Sequence, residues 1–372
     1  MRLGIHGWRL CAERTGVGRY LRNVVREWRV DDTHRFTDIR LYTPRPLDAD
    51  DESSIDPSLS RVVLPSPSRM LVWENLHLGP RTADDVLFCP SFSRPLLARA
   101  RTVVATHDMV YRVQPQLFPA SSRGFYRLLY EWSDRHATLI VTDAEAVKEE
   151  IIHFCRVPAD RVRVTYLAPA AFFRPVPDRE SVAAARRRVL GADVPCFLFV
   201  GKTTGRRSLP LVLDGFAQLC RRTHLSHRLL LVGRGTDSAE LRTHASRLGI
   251  ADRVVHAGFL DDETVNLLYN GAVALVSGAV YETSSLPVME AQAAGLPVIC
   301  FRNPGMVEIT GGAAMLLPSI DATSLGDAMV ALAEDAALQQ SLREQGLGSA
   351  ARFSWARCAR ETMAVLEEAA TR

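Results

Sequence analysis

The chain has 372 residues, 47% hydrophobic and 23% charged, enough for two domains with sizeable cores. Its 45 basic and 42 acidic residues leave 45 − 42 = +3, too little to argue for a nucleic-acid partner. Seven scattered cysteines without a Cys-x-x-Cys pair argue against a disulfide framework or a structural zinc and fit a reducing cytosol, while no run approaches the ~20 apolar residues of a spanning helix and MRLGIHGWRL lacks a signal-peptide core.

In chain order, Arg2 to His6 reads as a first strand. Arg14-Thr15-Gly16-Val17-Gly18-Arg19-Tyr20 follows and opens an amphipathic pattern through Trp28. A glycine turn between strand and helix lets backbone approach a ligand and aims helix N–H groups at it. The dinucleotide fingerprint is not met, because no third glycine stands at the required place. Residues 44–70, rich in Pro, Asp and Ser, read as loop plus a short strand at Arg61–Leu64. Asp85 to Cys89 and Thr102 to Thr106 are compact apolar runs that read as buried strands. The second ends at His107-Asp108, where a histidine could donate to a sugar hydroxyl or a phosphate. Alternatively, Asp108 simply satisfies it.

RGFYRLLYEWSDR, Arg123 to Arg135, mixes basic and aromatic residues at helical spacing. The simplest reading packs Phe125, Leu128, Leu129 and Trp132 into the core with arginines outside; a membrane-touching helix is the alternative. Thr138 to Thr142 and Val162 to Tyr166 are further strands, and Leu167 to Pro177 reads as an interdomain linker.

In the second half, Phe197 to Gly201 reads as a strand followed by KTTGRRS and an amphipathic helix. Lys202, Arg206 and Arg207 thus crowd one strand-to-helix loop. Like charges gather at a cost unless an anion is there, and guanidinium groups fork onto phosphate. Leu229 to Gly233 is another strand, and His256-Ala257-Gly258-Phe259 follows a short one at Val254. The stretch VYETSSLPVMEAQAAGLPV, Val280 to Val298, lies between strands at Ala272–Val276 and Pro297–Phe301. It reads as loop, a helix from about Pro287 to Ala294, and a stop at Gly295. Glu282 then sits in the loop at the carboxyl end of a strand, and Glu290 one turn into the helix. Ser284, Ser285 and the amides up to Leu286 lie at the helix start, where an open α/β sheet binds ligands.

That stretch resembles the signature EGFGLPVLEAMACGTPV of the retaining glycosyltransferases of family four. The resemblance covers most of the chain and is strong over residues 197–317. It implies an α/β fold of the GT-B class: two facing Rossmann-like domains with parallel sheets and a cleft between them. Residues 1–172, completed by a C-terminal helix at about 353–372, would form the acceptor-side domain; residues 173–352 would bind a nucleotide-sugar. Helix 353–372 would cross back with Phe353 and Trp355 packed at the crossing, and hinges at about 170–178 and 350–355 would gate turnover.

By the same resemblance, Glu282 contacts sugar hydroxyls, Glu290 holds the ribose, and Lys202, Arg206 and Arg207 hold the diphosphate. The backbone of Gly258 and Phe259 meets the base, Gly16 (in a loop matching TG-x-G-R-Y) lies near the diphosphate or acceptor, and His107 lies near the reacting sugar. Thr283-Ser284-Ser285 departs from the usual Gly-Phe-Gly, and Gly278-Ala279 from a common Pro-Ser pair, so the donor sugar is left open. The expected reaction is transfer of a sugar from a nucleoside diphosphate sugar, UDP- or GDP-linked, to an acceptor hydroxyl with retention. No cofactor and no metal are expected; the acceptor is a glycan, a lipid-linked sugar or a small molecule. The expected location is cytoplasmic, with at most peripheral contact at the inner face of a membrane. A nucleotide-sugar-binding protein without transferase activity, or an epimerase or phosphorylase of the same fold, are the alternatives.

Overall fold

The computed structural model describes residues 1–12, 15–28 and 34–372. It divides into two units, Met1–Leu167 with Phe353–Arg372, and Ala168–Arg352. The sequence reading puts the boundary at 172, but the segment after Leu167 is stitched to the second unit. Asn266 Oδ1 accepts from Arg174 N (3.3 Å), Asn270 Oδ1 accepts from Val176 N (2.7 Å), and Phe173 lies edge-on to Tyr269 with ring centroids 5.7 Å apart.

The first unit is a seven-stranded parallel sheet. In chain order the strands are β1 (Arg2–His6), β2 (Asp38–Thr43), β3 (Ser60–Val63), β4 (Val86–Cys89), β5 (Arg101–Ala105), β6 (Leu139–Thr142) and β7 (Val162–Val164). They lie side by side as β3-β2-β1-β4-β5-β6-β7. Central strands such as β4 and β6 are buried along their length, which is why they read as unbroken apolar runs rather than alternations. The helix Trp355–Thr371 belongs to this unit: Trp28 Nε1 donates to Ala359 O (3.0 Å), and Trp355 and Phe353 pack near Tyr20 and Tyr166.

The second unit is a six-stranded parallel sheet of β8 (Cys196–Val200), β9 (Arg228–Val232), β10 (Val254–Gly258), β11 (Ala274–Ser277), β12 (Val298–Phe301) and β13 (Met315–Leu317). Its order is β10-β9-β8-β11-β12-β13. Both sheets thus run outward in two directions from a central pair, β1/β4 and β8/β11. Outside the carboxyl ends of such a pair, where the order reverses, lies the crevice in which open α/β sheets bind ligands. The sequence reading names neither β2, whose DIRLYT mixes charged and apolar residues, nor β13, which is only three residues long.

One expectation is overturned. The helix Ala120–His136 does not bury Phe125 and Leu128; they are 51% and 74% exposed, with Leu129 and Trp132 half-buried. Its inward face is polar and aromatic instead. Buried Glu131 takes hydrogen bonds from Arg112 Nε (2.5 Å) and Arg135 Nη2 (2.7 Å), and buried Asp134 takes one from Thr106 Oγ1 (2.7 Å). Tyr126 and Tyr130 fill the rest, with Tyr130 stacked on Phe92 at 5.2 Å. Once its acids are paired inward, the helix has its phenylalanine and leucine on the other side. Among the described residues, no helix is long and apolar enough to cross a membrane.

Candidate active site

The loop 201–208 leaves β8 and the loop 278–285 leaves β11, so both rise from the reversal point of the second sheet. They are tied together: Val280 N donates to Arg206 O (2.9 Å). Glycines set how closely they meet. A Cβ on Gly278 would come within 2.8 Å of Arg207 O and 3.1 Å of Ser208 O. Gly201, at φ +148°, leaves the space of its missing side chain to the Arg207 guanidinium. Ser208, between this loop and the helix Leu209–Arg222, is held in the left-handed region at φ +39°, a strained setting for a non-glycine residue.

This geometry delivers two arginines to one buried acid. Arg206 Nη2 stands 3.4 Å from Glu282 Oε1, and Arg207 Nε 3.9 Å from Glu282 Oε2. Burial lowers the pKa of Arg207; the Glu282 carboxylate opposes this most strongly, with Tyr269 and Glu290 adding to it. The guanidinium stays charged across the physiological range. Arg207, Glu282, Ser285 and Ser277 line a small pocket floored by apolar residues such as Phe199 and Val288.

Glu290 lies in the helix Leu286–Ala293 and is buried. Tyr269 Oη donates to its Oε2 at 3.4 Å. The helix starts after Ser285 without a side-chain cap, and Pro287 in its first turn has no N–H. Gly295, at φ +77°, ends it as the sequence suggests. Ser285 and Leu286 are buried and Ser284 half-buried at this start. A second helix, Pro304–Thr310, braces the loop from outside: a Cβ on Gly305 would come within 2.6 Å of the carbonyl oxygens of Glu282 and Thr283.

The remaining second-domain positions are more open. Lys202 is exposed and, among the described residues, makes no ion pair. Gly258, at φ +65°, follows a register shift in β10, and its carbonyl accepts from Gly233 N (2.6 Å). Among the described residues, nothing beyond its chain neighbours lies within 4 Å of where its Cβ would stand, and the Phe259 ring beside it is 67% exposed.

Gly16 and His107 belong to the first domain. Gly16 begins the helix Gly16–Glu27, capped by Thr15 Oγ1, which accepts from Gly18 N (3.2 Å). Among the described residues a Cβ here would meet nothing within 4 Å, while Arg14 of the same motif lies outside the described residues. His107 is buried at the end of β5. Its ring partner is Asp143 rather than the neighbouring Asp108: Nδ1 lies 2.9 Å from Asp143 Oδ2, and Nε2 lies 3.0 Å from Pro90 O. Burial pulls its pKa down, but the Asp143 charge and hydrogen bond, with Pro90 and Asp108, carry the net shift upward. An acceptor thus faces each ring nitrogen, an arrangement that favours the doubly protonated ring.

The sequence did not point to Tyr269, Gly305 or Asp143 in these roles. Tyr269 looks like one more apolar position on its helix; its partner is 21 residues away.

Two Rossmann-like domains, each with a parallel sheet in this strand order, make the fold a GT-B one. Residues 184–348 match the model of the family described as Glycosyl transferases group 1. A relative, the O-antigen chain mannosyltransferase B of Escherichia coli, is 27% identical over 282 residues, 75% of this chain and 73% of that protein. The alpha-D-kanosaminyltransferase of Streptomyces kanamyceticus is 25% identical over 58% of this chain and 57% of its own length. Among solved structures, Anabaena HepE in complex with UDP and glucose superposes with a TM-score of 0.77 over 99% of this chain and all of that one, at 16% identity.

Proposed function

We propose that the protein transfers a sugar from a nucleoside diphosphate sugar to an acceptor hydroxyl with retention of anomeric configuration, without a bound metal. The observation that carries this reading is the meeting of Arg206 and Arg207 with Glu282 at the sheet's reversal point, within reach of the charge of buried Glu290. Two cations over a helix start suit a diphosphate.

In this reading Arg206, Arg207 and Lys202 stabilise the charge that grows as the diphosphate leaves, an effect worth ~10²–10³-fold for a preorganised donor. Glu282 balances the two arginines in the empty site and accepts from sugar hydroxyls in the filled one. Glu290 takes the ribose hydroxyls, the amides at Ser284, Ser285 and Leu286 face the donor, and Gly258 with Phe259 meets the base. The bond from the anomeric carbon to the phosphate oxygen breaks, and the acceptor oxygen attacks from the same face. Its proton passes to the departing phosphate. His107 contacts the sugar near the reacting carbon, its Nε2–H turning from Pro90 O to a sugar hydroxyl. Gly16 leaves room for the donor or acceptor to approach the helix start. UDP is the favoured nucleotide, since the structural neighbour HepE carries UDP and glucose, and GDP is the second choice. The relatives' names favour a hexose and a glycan, glycolipid or glycosylated-metabolite acceptor. The cytoplasm is the proposed location.

A thermal-shift panel of UDP-, GDP-, ADP- and dTDP-sugars tests the site. One donor raises the melting temperature, and Arg207→Ala and Glu290→Ala each abolish the shift; a shift that survives both places the donor elsewhere. Release of nucleoside diphosphate separates an enzyme from a binder. The anomeric proton coupling of the product decides between retention and inversion.

A further inference from the structure

One hydrogen bond crosses the reversal point of the first sheet, just past the carboxyl ends of β1 and β4. Arg9, in the short helical turn Trp8–Leu10 after β1, donates from Nε to Ser91 Oγ after β4 (2.8 Å). This is the place at which an open parallel sheet binds ligands. Arg9 is half-buried there, and its Nη groups have no partner among the described residues. Burial pushes its pKa down, and the group that opposes this is the Tyr130 phenol rather than a carboxylate.

Other arginines withdrawn from solvent in this domain are matched. Arg22 meets Asp51, Arg40 meets Asp38 and Arg112 meets Glu131. Arg94 lies against the Trp132 ring and donates to His136 O. A guanidinium drawn out of water without a counter-charge costs the fold stability unless an anion completes it.

The turn beside Arg9 is firmly built. Phe92 is held at φ +63°, a strained setting for a non-glycine residue. Phe92 N donates to Ala105 O (3.0 Å), and buried Ser93 Oγ donates to Oε2 of buried Glu74 (2.8 Å), so the turn is pinned from two sides. The Phe92 ring centroid then lies 5.5 Å from that of His107 and 5.2 Å from that of Tyr130. Arg9 and His107 thus stand beside the two ends of one aromatic pair.

We propose that Arg9 seats a negatively charged group of the acceptor, a phosphate or a carboxylate, so that the enzyme glycosylates an acidic molecule. The guanidinium can take anion oxygens from its Nη groups while Nε stays on Ser91. The inference rests on the transferase reading and narrows its acceptor.

Calorimetric titration of the full chain tests it, with and without UDP at saturation to occupy Arg206 and Arg207. Glucose 6-phosphate, glucuronate and inorganic phosphate are added in turn, with glucose as the neutral control. With UDP present, at least one of the anions should bind about tenfold more tightly than glucose or better. Glucose 6-phosphate against glucuronate tells phosphoryl from carboxyl. Arg9→Gln should abolish the preference, and Arg9→Lys should keep part of it, since the charge stays and the fork is lost. Ser91→Ala removes only the anchor and should weaken the preference severalfold; it decides the matter if Arg9→Gln melts early. No preference for any of the anions in the parent, or a preference that survives Arg9→Gln, overturns the proposal. So does anion binding seen only without UDP, since the anion would then be the nucleotide's own. Absence of heat on adding UDP counts instead against the donor site, and the Arg9→Gln comparison still reads the acceptor one.

Discussion

Tyr269 donates a hydrogen bond to Glu290, the buried acid of the helix Leu286–Ala293, across 3.4 Å, and the same tyrosine ring meets Phe173 just after the domain boundary. The helix that carries Tyr269 also carries Asn266 and Asn270, which fasten that linking segment. If Glu290 holds the ribose, Tyr269 sets its orientation. Tyr269→Phe keeps the ring and removes one hydrogen bond to a charged acceptor. At this length the loss should be about 1 kcal/mol, roughly fivefold. It should appear as a higher KM for the donor with kcat nearly unchanged, read from initial rates over a donor series. A fall confined to kcat would place the tyrosine in another role.

Gly16 offers a test in which stability and activity part company. Among the described residues a Cβ there meets nothing within 4 Å, and the position begins a helix. Gly16→Ala should therefore hold or raise stability, by up to about 1 kcal/mol. If a substrate approaches the backbone here, catalytic efficiency should nevertheless fall at least about tenfold, an effect of about 1.4 kcal/mol. Calorimetry and kinetics on the same preparation decide it; unchanged kinetics would mean that no ligand comes close.

Gly305→Ala should behave differently. Its Cβ would press on backbone oxygens of Glu282 and Thr283 at 2.6 Å, and neither can swing aside as a side-chain tip could. A cost of about 1–3 kcal/mol in stability is expected, together with loss of the donor-induced thermal shift, because the displaced loop carries Glu282. Retention of the full shift would show that the loop tolerates movement.

Asp134 predicts a pH dependence. Its carboxyl is pushed from an ordinary value near 3.8 up to about 7, chiefly by burial, while the bonds from Thr106 and Cys155 work the other way. The folded state therefore holds the proton more tightly than the unfolded one. Its stabilising contribution is fully present below about pH 4, declines as pH rises towards 7, and is gone above. The span corresponds to at most about 4 kcal/mol. Asp134→Asn should flatten denaturant-derived stability over that window; a parent whose stability holds steady from pH 5 to 8 would contradict the assignment.

Chelation is the last test. The proposed mechanism places cationic side chains where a divalent ion would otherwise neutralise the diphosphate, so prolonged treatment with EDTA should leave turnover unchanged. Loss of turnover restored by magnesium would mean that an ion shares the load.

Local grammar carried much of this into the sequence. Gly201 followed by Lys202 to Arg207, and Pro287 to Gly295 with Glu290 between them, are strand–loop–helix patterns that short-range sterics dictate, and the structure places their boundaries within a residue or two. What escaped depends on distant partners. The inward turn of Glu131 needs Arg112, 19 residues back, and that of Asp134 needs Thr106, 28 back, so the apolar spacing of Phe125 and Leu128 pointed the wrong way. His107 was visible beside Asp108, but its partner is 36 residues on. Gly278 gave no hint of a close approach, because the backbone that crowds it belongs to another strand's loop.

The helix Trp355–Thr371 has a consequence for synthesis. The ribosome makes most of the first domain before the second, yet the cover for Trp28 and its neighbours is translated last. The nascent chain therefore emerges with an incomplete early domain and a later one whose residues are all present first. The second half should become protease-resistant on the ribosome before the first does, and a stall a few codons short of Ser354 should leave the early domain open to chaperones.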